Sequence, residues 1–188
     1  MSVEDLLRRI VVALENAGIP YMLTGSVASS YHGEARASQD IDIVIAPDEP
    51  RLRMLLSSLP SSTYYVSEDA AFEALRRRSQ FNVIDMANGW KVDMIMRRDR
   101  SFSHSEFERR MTVDALGMRL SIATAEDVVV SKLEWAKIGG SERQLEDVAG
   151  ILRDSEAALD QAYIERWVHD LELQSQWVRA QELARRRP

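Results

Sequence analysis

Two aspartates separated by one residue are the strongest chemical signal in the sequence. Asp40 and Asp42 begin an alternating run, residues 40–46, which predicts a β-strand with both carboxylates on one face. Their Cα atoms would lie about 7 Å apart, and two such charges repel each other. Divalent cations take oxygen ligands, so the pair predicts a metal site, although an isolated Asp-x-Asp is also typical of a solvated strand edge or a turn cap.

A third carboxylate would help to complete a site for two metal ions, and the sequence offers two candidates. Asp93 lies in another alternating run, residues 90–96, and Asp85 lies in the run at 80–86. We favour Asp93 because Lys91 shares its predicted face, and a site that is both acidic and cationic suits phosphate chemistry. The alternative is that Asp93 is a surface carboxylate paired with Lys91.

A glycine-serine turn precedes the aspartate pair. Residues 21–24 predict a short buried strand, and a helix of small residues follows at 27–31. Gly25, at the strand-to-helix turn, lets backbone N–H groups approach a phosphate, and Ser26 can donate its hydroxyl. The pattern of a Walker A loop is missing from the sequence, so this would be a phosphate-binding turn of another kind.

A mixture of strands and helices must position these residues. The patterns predict helices at 3–16, 27–31, 70–78, 125–137, 141–152 and 160–185, and one more that ends near Leu59. They predict strands at 21–24, 40–46, 80–86, 90–96, 110–115 and 119–122, with a hairpin turn at Asn88-Gly89. We therefore expect an α+β protein with an α/β core at 1–122 and a helical part at 123–188 packed on that core.

The bulk composition limits the classes of function. The 188 residues are 45% hydrophobic and 29% charged, as in ordinary globular proteins, and carry a net charge of −6. Such an acidic balance argues against broad, non-specific binding of nucleic acid. The sequence contains no cysteine, which excludes disulfides, thiolate metal sites and cysteine nucleophiles. No apolar run approaches the ~20 residues that span a bilayer, so we expect a cytoplasmic protein that does not contact the membrane.

These motifs, taken together, resemble the nucleotidyltransferase superfamily, whose members share the fold of polymerase-β-like enzymes. The resemblance rests on the glycine-serine turn at 23–26, the aspartate pair at 40–42 and the isolated aspartate at 92–94. Two further residues resemble residues at similar places in the AbiEii-like members of the superfamily, which are linked to toxin–antitoxin and phage-defence systems. Arg36 precedes the aspartate pair, and Lys132 lies on a helix that in those proteins carries a lysine facing the triphosphate. The match covers most of the chain from Ile19 to Leu152.

The resemblance implies a fold and a chemistry. The fold would be a mixed β-sheet flanked by helices, with a helical C-terminal part. Asp40, Asp42 and Asp93 would hold Mg²⁺ or Mn²⁺. Gly25, Ser26 and Lys132 would contact a nucleoside triphosphate, and Arg36 would orient an aspartate or the loop rather than bind the substrate directly. The enzyme would transfer a nucleoside monophosphate to a hydroxyl of RNA (tRNA included), of a protein or of a small molecule. The alternatives are metal-dependent phosphoester hydrolysis and an inactive regulatory component of a toxin–antitoxin pair.

Overall fold

The computed structural model describes residues 2–33, 40–154 and 159–186, and these form two compact units. The first unit lies within Met1–Thr24 and Ser38–Ile122, and the second within Gly25–Ala37 and Ala123–Pro188. The helix that follows the first strand therefore belongs with the C-terminal helices, although it interrupts the first unit in sequence.

The first unit is built on one mixed sheet. In the described part of the chain its seven strands run in the order β3-β4-β5-β2-β1-β7-β6. Their bounds are β1 Tyr21–Leu23, β2 Asp40–Ile45, β3 Tyr64–Tyr65, β4 Gln80–Asp85, β5 Lys91–Met96, β6 Met111–Ala115 and β7 Met118–Ile122. The pairs β2–β5 and β1–β7 are parallel, whereas the other pairs are antiparallel. Together with the helices, this confirms the predicted α+β class and the mixed sheet.

The described residues of the first unit also form the helices α1 Val3–Asn16, α3 Glu49–Ser57, α4 Glu68–Arg77 and α5 Ser101–Arg109. Ser2 and Asp5 cap α1 reciprocally, because the Asp5 amide donates to Ser2 Oγ at 3.2 Å and the Ser2 amide donates to Asp5 Oδ2 at 2.9 Å. Leu6, Ile10 and Leu14 lie at helical spacing and are at most 1% exposed. This apolar stripe fixes which side of α1 faces the core.

The second unit is helical. It contains α2 Gly25–His32, α6 Ala125–Gly139, α7 Glu142–Asp154, α8 Gln161–Asp170 and α9 Gln174–Arg185. The buried Asp127 carboxylate joins α6 to α8, because it accepts hydrogen bonds from Tyr163 Oη at 2.5 Å and Thr124 Oγ1 at 2.6 Å. Just after α2, a Cβ on Gly33 would lie 2.8 Å from the Ile151 amide nitrogen, so the close approach to α7 requires glycine.

The structure departs from the sequence-based expectations in three places. The prediction of one helix over 160–185 is wrong, because the chain breaks between α8 and α9, where Glu172 adopts a left-handed conformation with φ of 56°. Lys137 Nζ stabilises this turn by donating to the carbonyls of Leu171 and Glu172 at 3.1 and 3.0 Å. The helix α5 and the two-residue strand β3 were not predicted. Among the described residues, none of the helices has the length and apolar character needed to cross a bilayer.

Candidate active site

The parallel pairing of β2 with β5 brings the predicted carboxylates together. Asp40 is the register partner of Lys91, and Asp42 is the partner of Asp93. Neighbouring strands lie about 4.8 Å apart, and partnered residues in a parallel pair point to the same face. The four side chains therefore form one polar cluster, while Ile41, Ile43 and their partners in β5 cover the opposite face.

Exposure increases from one end of this cluster to the other. The side chain of Asp93 is 12% exposed, that of Lys91 is 34% exposed and that of Asp40 is 50% exposed. Lys91 Nζ lies 3.2 Å from Asp93 Oδ2 and 3.6 Å from Asp40 Oδ1, so the ammonium bridges the two carboxylates. The pairing of Asp93 with Lys91, considered above as an alternative to a metal site, is therefore present in the structure.

The charge of the lysine is stabilised by the acids around it. Burial lowers the pKa of Lys91, but the hydrogen bond to Asp93 and the charges of Asp93 and Asp40 raise it by more. The net result is a pKa above the ordinary value for lysine, so Lys91 carries its positive charge at neutral pH. Three carboxylates and one ammonium leave the cluster with an excess of negative charge.

The donors of this cluster suit a divalent metal ion. Asp93 Oδ1 is buried and has no hydrogen-bond partner among the described residues, which is unusual for a carboxylate oxygen, and a bound cation would satisfy it. Within residues 2–33, 40–154 and 159–186, however, no three His, Asp or Glu side chains already surround an ion position. The Lys91 ammonium contacts Asp93 Oδ2 and Asp40 Oδ1, so a metal ion that bound through these two oxygens would compete with it.

Asp85, the alternative candidate for the third metal ligand, has a structural role. It is fully buried, it accepts a hydrogen bond from Arg9 Nη2 at 2.6 Å, and it accepts another from the Ala87 amide at 2.9 Å. The Arg9 guanidinium also lies over the Tyr64 ring, 5.4 Å from its centroid. Asp85 thus ties α1 to the hairpin between β4 and β5.

We expect Asp85→Asn to destabilise the protein by about 2 kcal/mol at pH 7, because it removes one partner of a buried ion pair. Burial raises the pKa of Asp85, but the hydrogen bonds from Ala87 and Arg9 and the charge of Arg9 lower it by more. A carboxylate with a depressed pKa stabilises the fold above its unfolded value of about 4, and this contribution is lost as pH falls through the folded value.

Urea unfolding at pH 7 and pH 3 measures this effect. The stability gap between wild type and Asp85→Asn should shrink at the lower pH, whereas Asp114→Asn, on the exposed edge strand β6, should differ little from wild type at either pH. A gap that is as wide at pH 3 as at pH 7 would mean that the carboxylate charge is not the source of the stabilisation.

The glycine-serine turn begins where β1 ends. The Thr24 amide donates to the Asp42 carbonyl at 3.0 Å, so the backbone just before the turn is fixed to the strand that carries the aspartate pair. Gly25 follows with a φ of 59°, a conformation that favours glycine, and is the first residue of α2. The predicted strand–turn–helix arrangement is therefore present.

Lys132, predicted to contact a triphosphate, is buried in the second unit. Its Nζ donates to Asp147 Oδ2 at 2.7 Å and to Gln144 Oε1 at 3.1 Å, which joins α6 to α7. The side chains of Lys132 and Asp147 are only 4% and 10% exposed. Arg36, the remaining predicted site residue, lies outside the described residues.

Similarity between this chain and known proteins was found among solved structures and not among sequences. No family model matches the sequence, and no curated protein is detectably similar to it. Among solved structures, ANT(2")-Ia in complex with adenylyl-2"-tobramycin superimposes with a TM-score of 0.59 at 13% identity, covering 92% of this chain and 98% of that one. An antigenic nucleotidyltransferase-like protein from Paracoccidioides brasiliensis gives a TM-score of 0.53 at 16% identity, covering 90% of both chains. The chain therefore has a nucleotidyltransferase fold.

Proposed function

We propose that this protein is a metal-dependent nucleotidyltransferase that transfers a nucleoside monophosphate from a nucleoside triphosphate to a hydroxyl acceptor. The observation that carries the proposal is the register of β2 and β5, which puts Asp42 directly opposite Asp93 with Asp40 two residues away on the same face. Three carboxylates on one face of two neighbouring strands repel one another, and a divalent ion bound among them would relieve that repulsion. The nucleotidyltransferase fold also supports the proposed activity.

Asp40, Asp42 and Asp93 would hold Mg²⁺ or Mn²⁺, which when bound neutralises phosphate charge and polarises the reacting phosphoryl group. The acceptor oxygen would form a bond to the α-phosphorus while the bond to pyrophosphate breaks. The acceptor proton would pass to Asp93, whose Oδ1 has no hydrogen-bond partner among the described residues. The protein's own contribution is the fixed position of these charges on rigid strands.

The remaining assignments rest on the resemblance in sequence. Gly25 and Ser26 are proposed to act on the triphosphate, and so is Lys132, although its contact with Asp147 also gives it a structural role. Arg36 is proposed to orient an aspartate or the loop. A small hydroxylated molecule is our preferred acceptor, because a net charge of −6 disfavours nucleic acid. The complex of ANT(2")-Ia with adenylyl-2"-tobramycin supports this choice. An AbiEii-like role in a toxin–antitoxin pair, and a cytoplasmic location, are part of the same proposal.

One observation favours a second candidate, a protein that keeps the fold without turnover. The Lys91 ammonium already neutralises part of the carboxylate cluster, as a permanent counter-ion would in a binding or regulatory protein. The two functions differ in a property that can be measured without knowing the acceptor, namely whether nucleotide binding depends on metal.

Calorimetric titration of the protein with each of the four common nucleoside triphosphates, in Mg²⁺ and again in excess EDTA, tests the proposal. We expect at least one triphosphate to bind in Mg²⁺ and not in EDTA. A folded protein that binds none of them at millimolar concentration would rule out the transferase and leave the non-catalytic candidate.

A further inference from the structure

We propose that Lys91 is a built-in counter-ion of the carboxylate cluster, which weakens the binding of free metal ion and makes metal retention depend on the triphosphate. This inference rests on the proposed function. It assigns Lys91 a positioning role that the motif-based prediction did not include. When no metal is bound, the ammonium holds Asp40 and Asp93; when the metal–nucleotide complex enters, the ammonium leaves the carboxylates for the phosphates.

The first support is the position of the ammonium. Lys91 Nζ contacts Asp93 Oδ2 at 3.2 Å and Asp40 Oδ1 at 3.6 Å, and these are two of the three proposed metal ligands. A cation that bridges the same two carboxylates would meet Lys91 at close range. At about 4 Å, repulsion between like charges amounts to several kcal/mol in a partly solvated site, so the ammonium weakens the binding of the second cation.

The second support is that the Lys91 side chain can move at low energetic cost, unlike that of Lys132, which is also paired with an aspartate. Lys132 and Asp147 are 4% and 10% exposed, so separating them would leave two charges in the protein interior. Lys91 is 34% exposed and Asp40 is 50% exposed, and Lys91 is the first residue of its strand. Water and a long side chain therefore allow the ammonium to exchange one anionic partner for another.

The third support is the charge balance of the reaction. By formal count Lys91 neutralises one of the three negative charges of the carboxylates, so a free metal ion meets a cluster that is already partly compensated. A triphosphate adds several negative charges and offers the displaced ammonium a new partner. The free metal ion must compete with Lys91, whereas the metal–nucleotide complex provides Lys91 with phosphate oxygens.

Binding of Mn²⁺ in the absence of nucleotide, measured by electron paramagnetic resonance, tests the inference. We expect Lys91→Met to bind Mn²⁺ about tenfold more tightly than wild type, because the competing charge is gone. Lys91→Arg keeps the charge and should bind Mn²⁺ as weakly as wild type. The matched control is Lys137→Met, which removes a lysine of similar exposure that pairs with Glu172 in the second unit and should leave Mn²⁺ affinity unchanged.

Equal or weaker Mn²⁺ binding by Lys91→Met, with the variant folded, would overturn the inference. Should that variant not fold, Lys91→Gln removes the same charge while keeping a hydrogen-bond donor, and the same tenfold increase is expected. In wild type, a non-hydrolysable triphosphate should tighten Mn²⁺ binding, and no tightening would also overturn the inference.

These results separate the two proposals. If wild type binds the Mn²⁺–triphosphate complex but Lys91→Met and Lys91→Gln bind free Mn²⁺ no better, the counter-ion role fails and the transferase proposal stands. If neither wild type nor the Lys91 variants bind Mn²⁺ or the complex, both proposals fail.

Discussion

Replacing Asp42 with asparagine should abolish magnesium-dependent binding of nucleoside triphosphate and reduce turnover at least about a thousandfold. Asp42 is the central carboxylate of the cluster, with Asp40 two residues away on its own strand and Asp93 opposite it in register. An amide keeps the shape of the side chain but removes the negative charge that a metal ligand must supply. Calorimetric titration with triphosphate in Mg²⁺ measures the loss without knowledge of the acceptor.

The same substitution should leave the fold intact. Removing one of three neighbouring carboxylates relieves repulsion, so the melting temperature without metal should be equal to or slightly above that of wild type. Asp114→Asn is the matched control, because it neutralises an exposed aspartate on β6 of the same sheet, and its triphosphate binding should equal that of wild type. Unchanged binding by Asp42→Asn would remove the aspartate pair from the site and, with it, the main support for the proposed function.

Replacing Lys132 with methionine should produce the largest loss of stability, about 3 kcal/mol in urea unfolding at neutral pH. The substitution removes the ammonium that lies 2.7 Å from Asp147 Oδ2 and leaves that carboxylate in a site only 10% exposed. Lys137→Met removes an exposed ion pair with Glu172 and two exposed hydrogen bonds to the carbonyls of the α8–α9 turn, and it should cost about 1 kcal/mol. A loss for Lys132→Met no larger than that of the control would contradict a structural role for this pair.

A second substitution separates the two roles proposed for Lys132. In Lys132→Met combined with Asp147→Leu, the buried charges are removed together, and most of the lost stability should return. If Lys132 also acts on the triphosphate, the stabilised double variant will still bind nucleotide weakly. If the lysine is only structural, the double variant will bind nucleotide as well as wild type.

Local patterns were sufficient to predict much of the fold. The helix α1 has the predicted bounds because its apolar stripe and its side-chain cap are both local features of the first 16 residues. The hairpin between β4 and β5 follows from Asn88-Gly89, because this dipeptide strongly favours a tight hairpin turn. The mixed α+β class follows from the alternation of such elements along the chain.

Features that depend on distant contacts could not be predicted. The break at Glu172 contains neither glycine nor proline, and its left-handed residue is stabilised by Lys137, 35 residues earlier in the chain. The helix α5 follows Arg100, which makes no side-chain cap, so its start has no local signal. The two residues of β3 are too few to show any periodicity.

The candidate site likewise has features that local patterns predict and features that depend on distant contacts. Alternation along each strand predicted that Asp40 shares a face with Asp42, and that Lys91 shares one with Asp93. It could not predict that β2 pairs with β5, nor that the partners are Asp42 with Asp93 and Asp40 with Lys91, because strand order is set by packing across the sheet. The bridging contacts of Lys91, on which our further inference depends, are therefore visible only in the structure.

The face shared by these charges also has a consequence for how the chain folds. The strands β2 and β5 are parallel and separated by two helices and two strands, so their pairing joins segments that are far apart in sequence, a kind of contact that forms slowly. A slip of one residue would turn Asp40 and Asp42 into the layer occupied by Ile41 and Ile43, where unpaired carboxylates are very costly. The aspartates would thus make misaligned sheets too unstable to persist, a contribution to folding fidelity that is independent of any reaction.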